Sequence, residues 1–527
     1  LDVLHNHPGE IPADIVERDG EVWMVKTCPT HGRFEEVLSI DAEFLRRIES
    51  LFPGRDYLAP KTSLRDHGSS SVKYGRGAVL TVDLTNRCNM MCEPCFMDAN
   101  QVGYVHELSF DEVRRILDDA LTVKPKRQLS VQFSGGEPTL HPAFIDSVRY
   151  ARDLGYFCVQ CATNGIRFAQ DPEFCRQAKA AGLRLAYLQF DGVGNEANSH
   201  RKIENLAAVG IDVVLVVTVV RGVNHAEVGR IVRFAIENAD KVTVVSFQPI
   251  SFTGRDEDVD DATRRAQRYT LSHLARDLQE QLGATEPLRD WFPLSAMNPF
   301  SDVVDLTLGA DAEFGSLKCG CHPDCGIGTV LLVNKQTKQM VPVAEIMDLP
   351  RLLRDLVLVA DAGLGPKRTL AEVGLALLRN FRPERAPEGF ELSTLVRQVL
   401  SQMGARGGRV GATEGDASAF DWRFLFVAGM HFQDLFNYDF RRTEMCIIPY
   451  GTQLGEISFC AYNTGVGWRQ VVEKMYRTAS VAEWSRKHGK HPVYAKNQRL
   501  PLSDDPLSVV TPKESSVDGK LRLRVMD

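Results

Sequence analysis

The sequence predicts an α/β protein built around a parallel β-sheet that is covered by helices. Between residues 77 and 255, apolar strand-like runs alternate six times with amphipathic helical stretches. The runs are continuously apolar, as expected for parallel strands that are buried on both faces. A curved partial barrel and a doubly wound open sheet both fit this periodicity.

The predicted elements of this unit follow one another in a regular order. The first helix begins with a capping box, in which Ser109 is followed three residues later by Glu112. The predicted strands are Ala78–Leu84, Leu129–Phe133, Phe157–Ala162, Leu185–Phe190, Asp212–Val220 and Lys241–Pro249. The predicted helices are Leu108–Leu121, Pro142–Leu154, Pro172–Ala181, Glu204–Val209 and Ala226–Asn238.

Length and composition indicate a soluble protein of several domains. A chain of 527 residues is too long for one ordinary hydrophobic core. The hydrophobic content of 44% and charged content of 25% are those of a globular protein. A net charge of -7 without a long Lys/Arg run argues against nucleic-acid binding. No apolar stretch approaches the roughly 20 residues of a membrane span, and no secretory signal pattern is seen, so we expect a cytoplasmic protein.

Shifts in composition divide the chain into six predicted parts. A hairpin over Ala13–Lys26, turning at Asp19-Gly20, belongs to a small N-terminal module. The predicted parts are this module (1–60), a Ser/Gly-rich linker (61–76), the strand–helix unit (77–255), a helical extension (256–317), a cysteine-bearing domain with a helical insert (318–480), and a C-terminal tail (481–527) that we expect to be extended or mobile from Lys490. Within the fifth part, residues 404–417 have the composition of a flexible linker.

The most informative motif is a group of three cysteines, Cys88, Cys92 and Cys95, directly after the first predicted strand. In α/β folds, functional sites lie at the carboxyl ends of parallel strands. Three thiolates can ligate three irons of a four-iron cluster and leave the fourth iron open. The alternative, a zinc knuckle, uses CxxC pairs with a fourth ligand nearby, and no such ligand follows here.

This motif resembles the cluster loop of the radical S-adenosylmethionine (SAM) superfamily, whose partial (β/α)6 barrel we therefore favour as the fold. The segment Ser134–Pro138 is similar to the GGE motif of that family, which binds the SAM amino group. Thr163-Asn164-Gly165 and Gln189-Phe190-Asp191-Gly192 end the next two strands, although Asn-Gly and Asp-Gly are also ordinary turn dipeptides. The resemblance implies cofactor-binding roles for Gly135, Gly136, Glu137, Asn164, Gln189 and Asp191.

The resemblance also implies the chemistry. In that family, an electron passes from the [4Fe-4S] cluster to bound SAM, and the resulting 5′-deoxyadenosyl radical removes a hydrogen atom from a substrate carbon. The role of the protein is to position that carbon and to exclude water and oxygen.

Five later cysteines predict a second site. Cys319, Cys321 and Cys325 are close in sequence, and Cys446 and Cys460 follow far downstream. We predict an auxiliary [4Fe-4S] cluster on Cys319, Cys325, Cys446 and Cys460, with Cys321 as a spare or replacement ligand. A zinc site or unligated thiols are the alternative, although a zinc ribbon would show paired CxxC halves.

A closer resemblance is carried by CPTHG, SFQPISFTGR, CHPDC, GMHFQDLFNYDFRR and SFCAYN. These segments, spread over most of residues 13–475, are similar to the branch that includes archaeal tetraether lipid synthase. In that branch the N-terminal module carries a rubredoxin-like iron on four cysteines. Here Cys28 and His31, with His5 and His7 upstream, could hold a mononuclear zinc or iron instead. A degenerate module with surface histidines is an equal alternative.

Other candidate residues have two interpretations each. Cys158, Cys161 and Cys175 are predicted to be buried structural thiols, because two cysteines three apart on a strand face opposite ways. The helical stretches Leu352–Val359 and Leu370–Leu378 could border a lipid channel or face an ordinary core. The last group comprises His431, Asp434, Tyr438 and Arg441. These residues could line a substrate cavity, or they could form a cluster on a helix surface.

These observations predict a cytosolic radical SAM enzyme that activates an inert C–H bond, with peripheral membrane contact as an open alternative. The resemblance implies a lipid chain as substrate, carbon–carbon bond formation as the outcome, and flavodoxin or ferredoxin as electron donor. Within the superfamily, the alternatives are a radical methylase and a SPASM-type peptide-modifying enzyme. Outside it, the alternative is an iron–sulfur electron carrier or redox sensor, which has no use for an open iron.

Overall fold

The computed structural model describes residues 10–51, 72, 79–122, 130–190, 192–193, 196–308, 319–393, 396, 421–464, 467–495 and 498–500. His5, His7, Asp191, the segment 404–417 and all but Val72 of the predicted linker lie outside the described residues.

Six parallel strands form the centre of the molecule, as predicted, and we number them as barrel strands one to six. Each one pairs in parallel with the next one along the chain. Their bounds are Val79–Thr85, Ser130–Gly135, Cys158–Thr163, Leu185–Gln189, Asp212–Val219 and Val242–Pro249.

The helices that connect these strands pack on one face of the sheet. Residues that alternate along the strands, such as Phe133, Cys161 and Leu188, share one core with these helices. The helices are Phe110–Leu121, Phe144–Asp153, Ile166–Gln170, Pro172–Ala181, Glu196–Ala208 and Val228–Glu237. A doubly wound sheet would carry helices on both faces, so the arrangement is that of a partial barrel, with its inner face turned away from the helices.

Later segments extend the sheet at both edges. Trp422–Met430 pairs in parallel with barrel strand six, and Gly326–Asn334 pairs antiparallel with Trp422–Met430. At the other edge, Tyr450–Thr452 lies parallel to barrel strand one, with Gly455–Ile457 antiparallel beyond it. Short strands complete the list: Tyr104–Val105, Phe292–Pro293, Met340–Pro342, Ala479–Ser480, Tyr494–Ala495 and Gln498–Arg499.

The N-terminal module is a three-stranded antiparallel sheet, Ala13–Arg18, Glu21–Cys28 and Gly32–Ser39, followed by the helix Ala42–Ser50. The predicted hairpin turn has positive φ at both Asp19 and Gly20, as a type I′ turn requires. The module is not separate from the rest, because buried Glu36 pairs with Arg264 at 3.1 Å and with Arg268 at 2.9 Å.

The remaining helices surround the later part of the sheet. Leu349–Asp361 and Pro366–Asn380 bury Leu356 and Leu377 in a core of their own, but Leu358, Leu370, Leu375 and Leu378 are exposed. None of the helices seen among the described residues has the length and apolar character to span a membrane. The others are Asp261–Gln267, Leu271–Leu282, Pro287–Asp290, Asn298–Leu308, Val343–Ile346, Phe440–Glu444, Phe459–Asn463, Trp468–Met475 and Val481–His488.

Candidate functional site

The loop that carries Cys88, Cys92 and Cys95 leaves the carboxyl end of barrel strand one. Cys88 is buried, and the Met90 N–H donates to its Sγ at 3.3 Å. Burial raises the pKa of Cys88 well above its usual value, and the charges of Cys92 and Cys95 raise it further, so the thiols influence one another. Buried thiols of this kind ionise when a metal supplies positive charge, so the donor set fits an iron–sulfur cluster.

Neighbouring segments fix the conformation of this loop. The Asn100 side chain donates to the Cys88 carbonyl at 2.8 Å and accepts from the Cys88 N–H at 3.1 Å. Arg255 donates to the carbonyl of Ala99 and pairs with Asp98. Sequence reasoning did not identify either anchor, although Arg255 lies in the SFTGR segment.

The glycines of the GGE segment permit close contact with the cysteine loop. Gly136 donates its N–H to Thr85 and Glu137 donates to Arg87, at 2.8 and 2.9 Å. A Cβ on Gly135 or Gly136 would overlap the carbonyl group of Thr85 or Arg87, respectively. Glycine at both positions therefore permits the close approach of these two backbone segments.

Glu137 lies at the centre of a buried hydrogen-bond network. Its carboxylate accepts from Thr139 Oγ1 at 2.6 Å, Thr163 Oγ1 at 2.8 Å and the Asn164 N–H at 2.8 Å. Burial raises the pKa of Glu137, and these hydrogen bonds oppose the rise. The Asn164 amide in turn donates to Asn89 in the cysteine loop at 2.6 Å. Glu137 thus links its own segment to the end of barrel strand three, which contacts the cysteine loop through Asn164. A direct contact between Glu137 and SAM stays a prediction.

The remaining predicted cofactor residues lie at the next strand end. Gln189 ends barrel strand four, and its carbonyl accepts from Lys202 at 2.8 Å. Asp191, two residues further on, is outside the described residues.

The start of the C-terminal tail lies on the same cysteine loop. His491 Nε2 is 2.8 Å from the Cys88 carbonyl oxygen. The Tyr494 backbone donates to Asn89 and accepts from Met91, both at 2.9 Å. These contacts place an extended strap across the loop.

The second cysteine group is assembled from distant parts of the chain. The Phe459 N–H donates to Cys446 Sγ at 3.3 Å, and the Gln433 N–H donates to Cys460 Sγ at 3.4 Å. Burial raises the pKa of Cys446, as do the charges of Cys460 and Cys325.

Cys319, Cys321 and Cys325 pack in one small core with Ile447, the residue after Cys446. Burial raises the pKa of Cys321, followed by the charges of Cys325, Cys319 and Cys446. Burial alone raises the pKa of Cys319, to about 11. The predicted ligand set of Cys319, Cys325, Cys446 and Cys460, with Cys321 as a spare or replacement ligand, stays a prediction.

Buried donors also surround this second group. The Gln433 Nε2 amide and the Tyr438 hydroxyl have no hydrogen-bond partner of standard geometry among the described residues. No three His, Cys, Asp or Glu side chains in the described ranges lie close enough together to hold a single metal ion. Buried N–H and O–H donors beside several thiols suit an iron–sulfur cluster, because they can hydrogen-bond to its sulfur atoms.

The N-terminal candidate site is exposed at the tip of the second hairpin. Cys28 Sγ lies 3.4 Å from His31 Nδ1. Backbone N–H groups of Thr30 and His31 lower the pKa of Cys28. This is the geometry of half a zinc-ribbon site, and the other two candidate ligands, His5 and His7, lie outside the described residues.

The other singled-out residues do not form a further metal site. Cys158 faces the inside of the sheet, whereas Cys161 and Cys175 lie in the helix-side core, as predicted for structural thiols. Residues 431–436 form a loop, so the helix-surface interpretation of His431 and Asp434 is wrong. His431 and Arg441 line a cavity of about 190 Å³, whereas Asp434 is buried against Arg268 at 2.8 Å and Tyr438 is buried near Cys460.

The inner face of the barrel changes from apolar to polar along the strands. Near the amino ends, Cys158, Leu185 and Val214 form an apolar floor. Directly beside this floor, the Gln160 amide donates to Gln132 at 3.3 Å, and its oxygen lies 3.9 Å from the Cys158 sulfur. The strand alternation places these polar residues on the same face: Thr81, Asp83, Gln132, Ser134, Gln160, Tyr187, Gln189, Thr218, Ser246 and Gln248.

Comparison with known proteins shows which families, proteins and solved structures this chain resembles. The family described as the radical SAM superfamily matches residues 82–235, and the HMPTM N-terminal zinc ribbon domain matches residues 9–40. The 7,8-dihydro-6-hydroxymethylpterin dimethyltransferase of Methanocaldococcus jannaschii is 32% identical over 505 residues, which cover 91% of this chain and 95% of the relative. Fe-coproporphyrin III synthase of Methanosarcina barkeri is 31% identical over 115 residues, 22% of this chain and 27% of the relative. SuiB of Streptococcus suis, solved with SAM, gives a TM-score of 0.31 at 19% identity and covers 40% of this chain and 48% of SuiB.

Proposed function

Because the chain belongs to the radical SAM superfamily, in the same family as the pterin dimethyltransferase, we propose that it transfers methyl groups to a polar heterocyclic substrate. The chain is an enzyme that uses a [4Fe-4S] cluster and SAM, as the sequence predicted. The substrate and the bond formed are the proposal.

The polar inner face of the barrel carries this proposal. A glutamine amide offers both a donor and an acceptor, and Gln132 and Gln160 place such groups on the inner face of the barrel. A pterin ring has donors and acceptors along its edge that can pair with them. A hydrocarbon chain has none, and burying amides against it leaves polar groups unpaired.

Lipid coupling, implied by the resemblance to the tetraether branch, stays a prediction. The exposed Leu358, Leu370, Leu375 and Leu378 are compatible with a lipid or membrane surface. These leucines belong to helices whose core does not include the cysteines of either loop. Peptide modification, the electron donor and peripheral membrane contact likewise stay predictions.

Three sets of side chains would hold the metal groups. Cys88, Cys92 and Cys95 would hold the cluster that, with SAM, supplies one-electron chemistry at an unactivated carbon. Cys28 and His31 would hold part of a zinc or iron site in the N-terminal module. We place an auxiliary cluster on the second group, Cys325, Cys446 and Cys460, with Cys319 as the fourth ligand and Cys321 as its alternative.

The chain itself then positions and protects the site. Asn100 and Arg255 hold the cysteine loop, and the strap over residues 491–495 covers it. These contacts limit access of water to the first cysteine site.

The proposal is tested with anaerobically reconstituted enzyme, a reductant and SAM as the radical source, together with further SAM or another one-carbon donor that supplies the methyl group. We expect 7,8-dihydro-6-hydroxymethylpterin to gain one or more methyl groups by mass spectrometry, and the Cys88/Cys92/Cys95→Ala variant to give none. An unchanged pterin together with coupled lipid chains in a parallel reaction would favour the tetraether function instead.

A further inference from the structure

Arg442 is a buried cation beside the second cysteine group. It is only 4% exposed, and its Nε donates to Cys325 Sγ at 3.5 Å. Its Nη2 donates to the His431 carbonyl oxygen. The side chain therefore faces a thiol and a carbonyl group rather than solvent.

Other buried arginines of the described chain have carboxylate partners. Arg268 pairs with Asp434 at 2.8 Å, and Arg469 pairs with Asp83 at 2.7 Å. For Arg442, no carboxylate lies within salt-bridge distance in the described part of the chain.

A buried guanidinium without a counter-charge is strongly unfavourable. Among the described residues, the groups that Arg442 contacts are the Cys325 sulfur and the His431 carbonyl oxygen. Four thiolates on a four-iron cluster would supply the counter-charge, because the whole assembly is anionic. One further electron makes it more negative, so a nearby cation favours the reduced form.

We propose that Arg442 is the counter-cation of the second cysteine site and raises the reduction potential of the auxiliary cluster. This inference rests on the auxiliary cluster of the proposed function. The electron comes from an external low-potential reductant, and no covalent bond forms or breaks in the step. Arg442 acts here as a positioning and tuning residue, without contact to substrate.

The chain offers a matched control in the preceding residue. Arg441 has a side chain that is 68% exposed and pairs with Asp439. Arg441→Met removes the same charge from the same helix, but solvent screens that charge. Arg442→Lys keeps the charge and loses the planar donor fork.

The test is an anaerobic redox titration followed by electron paramagnetic resonance, on full-length protein with Cys88, Cys92 and Cys95 replaced by Ala. In that background the remaining four-iron signal belongs to the second site. We expect Arg442→Met to lower its midpoint potential, Arg442→Lys to give a smaller decrease, and Arg441→Met to leave it unchanged. Iron and sulfide contents show how much cluster each variant binds. If Arg442→Met binds no cluster, the potential measured for Arg442→Lys tests the proposal.

The outcomes separate the two claims. A loaded cluster whose potential is the same in wild type, Arg442→Met and Arg442→Lys overturns the role of Arg442 alone. An equal shift in Arg441→Met does the same. If the triple-Ala background binds no cluster, the auxiliary site itself is overturned, and the role of Arg442 with it.

Discussion

The rings of Phe96 and Phe459 meet with centroids 6.1 Å apart, and each ring neighbours a candidate cluster ligand in sequence. Phe96 follows Cys95, and Phe459 precedes Cys460. Phe459 also stacks on Phe432 with centroids 4.4 Å apart. An aromatic layer therefore joins the two cysteine sites.

This layer offers a stacking surface for a flat substrate. Phe96 is 40% exposed, and Phe96→Leu should weaken binding of 7,8-dihydro-6-hydroxymethylpterin by about 1 kcal/mol, because a ring–ring contact is lost. Isothermal titration of the SAM-loaded protein measures this. Phe157, 38% exposed at the opposite end of the sheet, is the control, and Phe157→Leu should bind normally. Equal affinities for both variants would refute the stacking surface.

The inner-face glutamines predict a second effect on substrate binding. Gln160→Leu leaves Gln132 without its amide partner and removes a group that can hydrogen-bond to the edge of the heterocycle. We expect a loss of about 1–3 kcal/mol in pterin affinity, as for other buried polar groups left unpaired. Gln177→Leu, on an exposed helix surface, should have no effect. Unaltered pterin affinity in a folded Gln160→Leu protein would remove the main support for a heterocyclic substrate.

Because the GGE segment and the cysteine loop are in close contact, a larger residue at Gly136 should disturb their packing. Gly136→Ala places a Cβ against the Arg87 carbonyl group, so the two segments must separate. We expect less iron bound at the first site and weaker SAM binding, measured by iron content and equilibrium dialysis. Gly374, in a helix with open space around its Cβ position, is the control. Gly374→Ala should stabilise the protein by about 0.5–1 kcal/mol and retain full iron content.

His273 predicts how stability depends on pH. Burial, followed by Arg221 and Arg276, lowers the pKa of His273 from about 6.5 to about 3. The unfolded chain then binds more protons than the folded chain between these values, so stability falls as the pH decreases from about 6.5 towards 3. The slope for one proton is about 1.4 kcal/mol per pH unit.

The variant His273→Gln isolates this contribution. His273 Nδ1 accepts from the Thr270 N–H in a capping box, a position that Gln also suits. Denaturant unfolding between about pH 6 and pH 4 should show a shallower loss of stability for the variant than for wild type. Parallel pH profiles would show that His273 does not titrate as described.

Local patterns were enough to predict much of the fold. The six barrel strands and the Ser109–Glu112 capping box follow from periodicity and helix-start signals within short windows. Trp422–Met430 was not predicted as a strand, because its partner, barrel strand six, lies far away in the chain. Local sequence does not reveal such pairings.

Site residues were predictable only where a motif is contiguous. Spacing identified Cys88, Cys92 and Cys95 on one loop, but it could not decide between Cys319 and Cys321, because the other ligands, Cys446 and Cys460, lie more than 100 residues further along the chain. Arg442 likewise acquires its role through a contact with Cys325, 117 residues earlier in the chain.

The most direct test of a polar heterocyclic substrate is the yield of 5′-deoxyadenosine from reduced enzyme and SAM, with either 7,8-dihydro-6-hydroxymethylpterin or diether lipid vesicles added. The polar inner face predicts that the pterin stimulates 5′-deoxyadenosine formation and that the lipid does not. Stimulation by the lipid alone would contradict this account.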